Sequence, residues 1–165
     1  MVYKSEPLEF FVDRETVLTI GVFDGVHLGH QHLIGQAIAR ARGLDYLAAA
    51  LTFDPHPQLI LRPRVEPFYL TSAKEKMELL RALGLDLRIL LHFDRAIADL
   101  SAREFIALLR RRINLCELWV GPDFALGRQR EGTVSTLERI GREEGFEVHS
   151  VPHFCLDGEV VSSTA

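Results

Sequence analysis

The strongest constraint on the fold is an alternation between short β-branched apolar runs and longer segments whose apolar residues recur at helical spacing. Each run is long enough for a buried strand, and each intervening segment is long enough for a helix. The predicted strands are Thr16–Phe23, Tyr46–Phe53, Leu87–Phe93, Glu117–Gly121 and Phe146–Val151. The predicted helices are His30–Arg42, Ser72–Leu83, Ser101 to about Arg112, and Thr133–Glu144. This order predicts an α/β protein with a mostly parallel sheet and helices on both faces.

Local signals sharpen some of these boundaries and predict how the chain is organised. Ser101 and Glu104 have the spacing of a capping box at the start of a helix. In "CLDGEVV", the pair Asp157-Gly158 is typical of a tight turn and predicts a C-terminal β-hairpin. The 165 residues contain no linker, internal repeat or low-complexity tract, so we predict one domain over residues 1–165.

Polar chemistry concentrates in "LTIGVFDGVHLGH", the stretch from Leu18 to His30 that joins the first predicted strand to the first predicted helix. Ligands of open α/β sheets bind beyond the carboxyl ends of strands, especially where the strand order reverses. Gly25 and Gly29 permit a close backbone approach, and the free N–H groups that begin a helix favour an anion. His27 and His30 can donate to that anion from opposite sides of Gly29. The stretch therefore predicts a phosphate site, the alternative being two histidines that merely decorate a loop.

Other classes of site and location lack their usual signals. The chain has no Walker motif, no complete G-x-G-x-x-G and no G-x-S-x-G, and two histidines without a nearby third ligand are a weak zinc signal. A net charge of −4 argues against a nucleic-acid partner. Cys116 and Cys155 lie in apolar surroundings, which favours free thiols in a reducing cytoplasm. No apolar run approaches the length of a membrane span and no signal peptide is evident, so we expect a cytoplasmic protein without membrane contact.

Several segments together carry a family resemblance. In chain order they are "GVFDGVHLGHQHLI", "LTFDPHP", "LTSAKEKMELLRALGLD", "VGPDFALG" and "VSST". The "HLGH" of His27–His30 resembles the HxGH signature of the nucleotidylyltransferase superfamily. The whole set resembles the adenylyltransferase domain of bacterial bifunctional riboflavin kinase/FAD synthetases, from Thr16 to the last residue. This resemblance implies a Rossmann-like fold and an Mg²⁺-dependent reaction in which the FMN phosphate attacks the α-phosphorus of ATP, giving FAD and pyrophosphate.

The resemblance also implies a role for each matching residue. The implied catalytic residues are His27 and His30, which would hold the triphosphate, with His30 contacting the transition state. The implied ATP-binding residues are Gly21, Phe23, Asp24, His27, Gly29, His30, Ser162, Ser163 and Thr164. Of these, Gly21, Phe23, Asp24 and Gly29 would act mainly through their backbone. The implied FMN-binding residues are Phe53, Pro55, His56, Pro57, Asp123 and Phe124. The metal ligands stay unknown, because the phosphates of ATP can hold most of the coordination sphere of Mg²⁺.

The chain departs from the family pattern in two places. Ala125 and Leu126 stand where the family usually has Arg and Phe. The sequence ends at Ala165, before the arginine that normally follows Ser-Ser-Thr, and the riboflavin kinase module that usually comes next is absent. We therefore expect a fragment of a longer chain, with the kinase domain as its partner in the intact protein and weak ATP turnover on its own.

Other functions stay open at this point. A different HxGH adenylyltransferase, acting on pantetheine phosphate or nicotinate nucleotide, would share the signature, although "FDPHP" and "GPDFALG" argue against it. A non-catalytic nucleotide- or flavin-binding fragment is consistent with the missing arginine. RNA binding, by distant analogy to class I tRNA synthetases, is disfavoured by the acidic balance of the chain.

Overall fold

A six-stranded, all-parallel sheet forms the centre of the computed structural model. The structure describes residues 2–5, 12–21, 23, 28–54, 73–92, 94–121, 124–126, 132–151, 154–156 and 159–161. The strands are β1 (Val2–Ser5), β2 (Val12–Ile20), β3 (Leu47–Asp54), β4 (Leu87–His92), β5 (Ile113–Val120), β6 (Ala125–Leu126), β7 (Gly132–Thr133), β8 (Glu147–Ser150), β9 (Phe154–Leu156) and β10 (Glu159–Val161). The helices are α1 (Leu28–Leu44), α2 (Ala73–Ala82), α3 (Arg95–Ala98), α4 (Ala102–Arg110) and α5 (Val134–Glu144). The predicted α/β class is confirmed.

The order of the strands creates a switch point beside β2. Across the sheet the strands run β1-β4-β3-β2-β5-β8, so the chain moves from β2 to β3 and β4 and then returns to place β5 on the other side of β2. Because the pairings are parallel, the carboxyl ends of β2 and β5 lie at the same edge of the sheet. Gly21 follows β2 and Gly121 follows β5, so the two glycines flank the place where open α/β sheets bind ligands.

Two apolar clusters cover the two faces of the sheet. Leu18 and Ile20 of β2 belong to the cluster that contains the buried residues of α4 and α5. Val17 belongs to the cluster that contains those of α1 and α2. Successive strand residues point to opposite faces, and β2 is apolar on both because helices cover both. The predicted placement of helices on both faces is confirmed.

The predicted helix caps and the predicted hairpin are present where the structure describes them. The Ser101 hydroxyl accepts from the Glu104 N–H at 3.1 Å, and the Glu104 carboxylate accepts from the Ser101 N–H at 2.9 Å, which completes the capping box of α4. Gly145 ends α5 with a φ of 97°. The strands β9 and β10 form the predicted antiparallel hairpin, whose turn at Asp157-Gly158 lies outside the described residues. Ser72, the predicted first residue of the second helix, also lies outside them.

Several boundaries and elements differ from the prediction. The first predicted strand extended from Thr16 to Phe23, whereas β2 begins at Val12 and ends at Ile20. The polar residues that begin β2 are exposed, so they carried no burial signal. Strand β5 begins at Ile113 rather than Glu117. The edge strand β1, the short helix α3 and the β6–β7 pair were not predicted. Among the described residues, no helix is long and apolar enough to cross a membrane.

Candidate active site

The site begins where β2 gives way to the loop that leads into α1. The Gly21 N–H donates to the carbonyl of Leu51 at 3.1 Å, which carries the pairing of β2 with β3 one residue past the strand. A Cβ on Gly21 would lie 2.5 Å from Cε1 of Phe23, closer than side-chain carbons approach one another. The space that a side chain at position 21 would need is therefore filled by the Phe23 ring.

Phe23 has an unusual backbone and a buried side chain. Its φ is 56°, in the left-handed region that bulky residues rarely adopt, at a typical cost of about 1–3 kcal/mol. The residue is only 1% exposed and belongs to the cluster formed with α1. The ring therefore faces the core and not a ligand. A contact between the Phe23 backbone and ATP stays a prediction.

His30 lies in the first turn of α1, at the end of the helix that favours anions. It is 8% exposed, and its ring centroid is 5.2 Å from that of Phe23 with an interplanar angle of 84°. The first turn of α1 contains no acidic residue to offset the partial positive charge of the helix N-terminus. Gly29, the preceding residue, is also within α1. A buried imidazole, a helix N-terminus and the switch point thus come together, which suits a phosphate group.

The described FMN candidates lie on the other face of the sheet. Phe53, the penultimate residue of β3, is 9% exposed and belongs to the cluster with α4 and α5. Phe124 packs against the same cluster, and its N–H donates to the Gly121 carbonyl at 3.2 Å. Phe23 belongs to the α1 face, so the described aromatic candidates for ATP and for FMN divide between the two faces.

The remaining candidates have no described position. They are Asp24, His27, Pro55, His56, Pro57, Asp123, Ser162, Ser163 and Thr164, all outside the described residues. Their assignment to ATP or FMN stays a prediction. The departure at Ala125 and Leu126 falls in β6, which pairs antiparallel with β7 just before α5.

A polar cluster on β5 and β8 was not predicted from the sequence. The Glu117 side chain is 3% exposed, and its carboxylate accepts hydrogen bonds from Arg40 Nε and Nη2 at 2.9–3.1 Å. Trp119 Nε1–H donates to the same carboxylate at 3.0 Å. Burial opposes the charge of Glu117, but the hydrogen bonds from Arg40 and Trp119 hold its pKa below the ordinary value. A glutamate inside the apolar run "ELWV" was the only sign of this cluster in the sequence.

The same cluster supplies the only three ligating groups that come together among the described residues. Atoms of Glu117, Glu147 and His149 lie within 4.8 Å of one another. A metal ion there would have to compete with the Arg40 guanidinium for Glu117. His149 stacks on Trp119 with ring centroids 4.6 Å apart, which holds the imidazole in the cluster. The arrangement is an ion pair between a buried carboxylate and an exposed guanidinium, covered by an aromatic stack, and does not fit a metal centre.

The described cysteine is chemically quiet. Cys116 is a free thiol, as predicted, and burial raises its pKa above the ordinary value. A raised pKa lowers the fraction of reactive thiolate at neutral pH. The side chain of Cys155 lies outside the described residues.

Comparisons with known proteins agree with the fold and with the sequence motifs. The profile of the FAD synthetase family matches residues 10–165. A bifunctional riboflavin kinase/FMN adenylyltransferase of Escherichia coli K12 is 38% identical over 150 residues, which are 90% of this chain and 48% of that protein. A relative from Geobacillus thermodenitrificans is 39% identical over 150 residues, which are 90% of this chain and 79% of the relative.

A solved structure shares the architecture. It comes from Streptococcus pneumoniae and is described as a macrolide-efflux protein; the TM-score is 0.85 at 26% identity, over 99% of this chain and 53% of that one. This chain spans about half the length of that structure and of the E. coli relative. The profile match, by contrast, covers nearly the whole sequence, including the first turn of α1, which carries His30. The chain belongs to the FAD synthetase family.

Proposed function

We propose that the chain is an FMN adenylyltransferase, which transfers AMP from ATP to FMN and forms FAD and pyrophosphate. The observation that carries this proposal is the position of His30, in the first turn of α1 beside the switch point of the sheet. The family match supports the same reaction, as does the activity named for the E. coli relative. Neither the fold alone nor a lone HxGH signature would distinguish this enzyme from other adenylyltransferases.

In the proposed reaction, an oxygen of the FMN phosphate forms a bond to the α-phosphorus of ATP, and the bond from that phosphorus to the bridging oxygen of pyrophosphate breaks. No protein nucleophile is required. The protein's part is to orient the two substrates and to stabilise negative charge on the transferring group. His30 and the N–H groups that begin α1 are suited to this role, because both present positive potential beside the loop.

The division of the candidates between the two faces supports a matching division of the substrates. ATP would bind towards α1, through Gly21, Asp24, His27, Gly29 and His30 and through the hydroxyls of Ser162, Ser163 and Thr164. FMN would bind towards α4 and α5, the face to which Phe53 and Phe124 belong. Pro55, His56, Pro57 and Asp123 are proposed to contact it as well. The two substrates would then meet above the carboxyl ends of β2 and β5.

Mg²⁺ is expected to accompany ATP. Among the described residues, the one group of three clustered ligand atoms is the Glu117 cluster, which Arg40 already neutralises, so these residues do not fit the ion. The phosphates of ATP are the expected source of most of its ligands. A riboflavin kinase module as partner, the single-domain division over residues 1–165 and a cytoplasmic location stay predictions.

The test is FMN-dependent pyrophosphate release and FAD formation from ATP and Mg²⁺, with wild type compared to His30→Ala. His32→Ala is the matched control, because His32 lies on the same helix, is half-buried and is not a candidate for substrate binding. We expect His30→Ala to lose roughly 10²- to 10³-fold in kcat, the usual cost of removing one donor to developing charge, and His32→Ala to stay near wild type.

The other outcomes identify the alternatives. Binding of ATP and FMN without pyrophosphate release would make the chain a binding fragment. Release with pantetheine phosphate or nicotinate mononucleotide, but not with FMN, would make it a different adenylyltransferase. Equal activity in wild type and His30→Ala would contradict the role of His30.

A further inference from the structure

We propose that the ring of Phe23 is a positioning element for His30: it fixes the imidazole in the orientation that adenylyl transfer needs, without touching the substrate. This inference rests on the proposed function, since the value of a fixed imidazole lies in the charge it stabilises. It concerns the side chain of Phe23, whereas the family resemblance implies a backbone contact with ATP.

The contact itself is the first argument. The rings of Phe23 and His30 meet edge to face, with centroids 5.2 Å apart and an interplanar angle of 84°. This arrangement is the favoured one for aromatic pairs, because the positive edge of one ring meets the negative face of the other. It restricts rotation of the imidazole about the bonds that join it to α1. Phe23 is 1% exposed, so its ring has no access to a ligand and can influence the substrate only through a neighbouring group such as His30.

The backbone of Phe23 is the second argument. A bulky residue with a φ of 56° persists only where its surroundings determine its conformation. Here the ring packs with Leu33, Ile34 and Ala37 of α1 in one buried cluster. The residue keeps this unfavourable conformation while its ring packs in the same cluster as the helix that carries His30. Strain in the loop is thus coupled to the placement of one side chain in the site.

Gly21 is the third argument. A Cβ at this position would lie 2.5, 2.7 and 3.0 Å from three carbons of the Phe23 ring, although the φ of Gly21 is not in the left-handed region. The glycine is therefore required by the space of the ring and not by its own backbone. The lack of a side chain at Gly21 leaves room for the ring of Phe23, and that ring contacts the imidazole of His30.

The test uses the 165-residue chain with the substitution Phe23→Leu. Leucine carries the same backbone strain at a φ of 56° and keeps an apolar side chain in the cluster, so the variant removes mainly the aromatic contact. Phe105→Leu is the matched control, because Phe105 is 3% exposed and belongs to the cluster on the opposite face of the sheet. Both variants are first compared by thermal unfolding.

The kinetic expectation separates positioning from packing. We expect Phe23→Leu to lower kcat roughly ten- to a hundredfold with a much smaller change in the KM for ATP, because misplacement of a catalytic group affects the transition state most. Phe105→Leu should keep kcat within about twofold of wild type at a similar loss of thermal stability. Equal losses of kcat in the two variants would overturn the inference.

A double variant tests whether Phe23 acts through His30. In a His30→Gln background, Phe23→Leu should cause no further loss of kcat, because the group that it positions is gone. Multiplicative losses would show that Phe23 acts by another route. Gly21→Ala should reproduce the kcat loss of Phe23→Leu. When Gly21→Ala is added to Phe23→Leu, the further loss of kcat should be much smaller, because leucine leaves the space that the added methyl group needs.

A measurement that needs no activity separates this inference from the proposed function. The ring resonances of His30, assigned by their loss in His30→Gln, should shift in Phe23→Leu and keep their wild-type positions in Phe105→Leu. Unshifted resonances would overturn the inference even in an active enzyme. A wild-type chain that forms no FAD would instead contradict the proposed function, and the resonances would then decide the contact alone.

Discussion

The charge of Glu117 affects how the stability of the fold depends on pH. Its carboxylate is buried on β5, and the hydrogen bonds from Arg40 and Trp119 outweigh the effect of burial, so its pKa lies below the ordinary value of 4.5. The folded protein therefore binds this proton less readily than the unfolded chain. The resulting stabilisation is complete above pH 4.5 and is lost as the pH falls through the folded-state pKa.

We predict that Glu117→Gln lowers the free energy of unfolding by about 1–3 kcal/mol at pH 7, because hydrogen bonds to a buried charge are lost. Protonation of Glu117 destabilises the wild type at low pH, and the variant lacks this group. The difference in the free energy of unfolding between variant and wild type should therefore shrink below pH 4.5. Urea unfolding across a pH series measures both effects.

Glu147→Gln is the control for that series, because Glu147 lies opposite Glu117 on β8 but its side chain is 65% exposed. Its unfolding free energy should stay within about 0.5 kcal/mol of wild type at every pH. If the free energy of unfolding falls with decreasing pH as steeply in Glu117→Gln as in wild type, the charge of Glu117 does not stabilise the fold as the geometry requires.

At the scale of residues, the sequence predicted where His30 lies along the chain but not how it is packed. The position of His30 near the start of α1 could be predicted because the spacing of "HLGH" from the strand and the helix is local information. The ring of Phe23 could not be placed, because "GVFDG" continues an apolar run and gives no sign that φ becomes positive at Phe23. Its contact with His30 depends on where α1 packs, which is a tertiary property.

Among elements, helices α1 and α5 carry glycines with opposite expected effects. Gly141 is buried in α5, and a Cβ there would lie 2.5 Å from the backbone oxygen of Phe146. Gly35 is exposed on α1, and a Cβ there would meet no atom within 4 Å in the described part of the chain. Alanine normally stabilises a helix relative to glycine by lowering backbone entropy in the unfolded state.

We predict that Gly35→Ala raises the free energy of unfolding by roughly 0.5–1 kcal/mol, whereas Gly141→Ala lowers it by about 1–3 kcal/mol through overpacking. Chemical denaturation of the two variants beside wild type measures the difference. Stabilisation by both substitutions would mean that the turn around Phe146 moves away from α5 at little cost.

The elements that sequence reasoning missed have no strong local pattern. Strand β1 is "VYKS", four residues whose strand conformation depends on parallel pairing with β4 at the edge of the sheet. The early residues of β2 are polar and exposed, and β5 begins with "INLC", where Asn114 is exposed. In contrast, Ser101 with Glu104 and Gly145 located the ends of α4 and α5, because caps are set by nearby residues.

For the whole molecule, the order of strands is the property that local patterns could not supply. Alternation of strands and helices predicts a parallel sheet but permits several orders. The observed order places the ends of β2 and β5 together, so Gly21 and Gly121 lie at the same edge of the sheet although they are far apart in sequence. The family resemblance implies one active site for the segments that begin at these two glycines. That site stays a prediction, which the shared edge of the sheet supports.

The two glycines at the switch point predict different outcomes when each is changed to alanine. A Cβ on Gly21 collides with Phe23, whereas a Cβ on Gly121 would meet no atom within 4 Å among the described residues, and its φ is ordinary. Gly121→Ala should therefore leave the free energy of unfolding within about 0.5 kcal/mol of wild type.

If FMN occupies the space beyond β5, the methyl group that Gly121→Ala adds should raise the KM for FMN severalfold and leave the KM for ATP unchanged, because ATP is expected towards α1. Steady-state kinetics with each substrate varied in turn measures both constants. A selective rise in the KM for ATP would reverse the proposed division of the substrates, and no change in either would place the flavin away from Gly121.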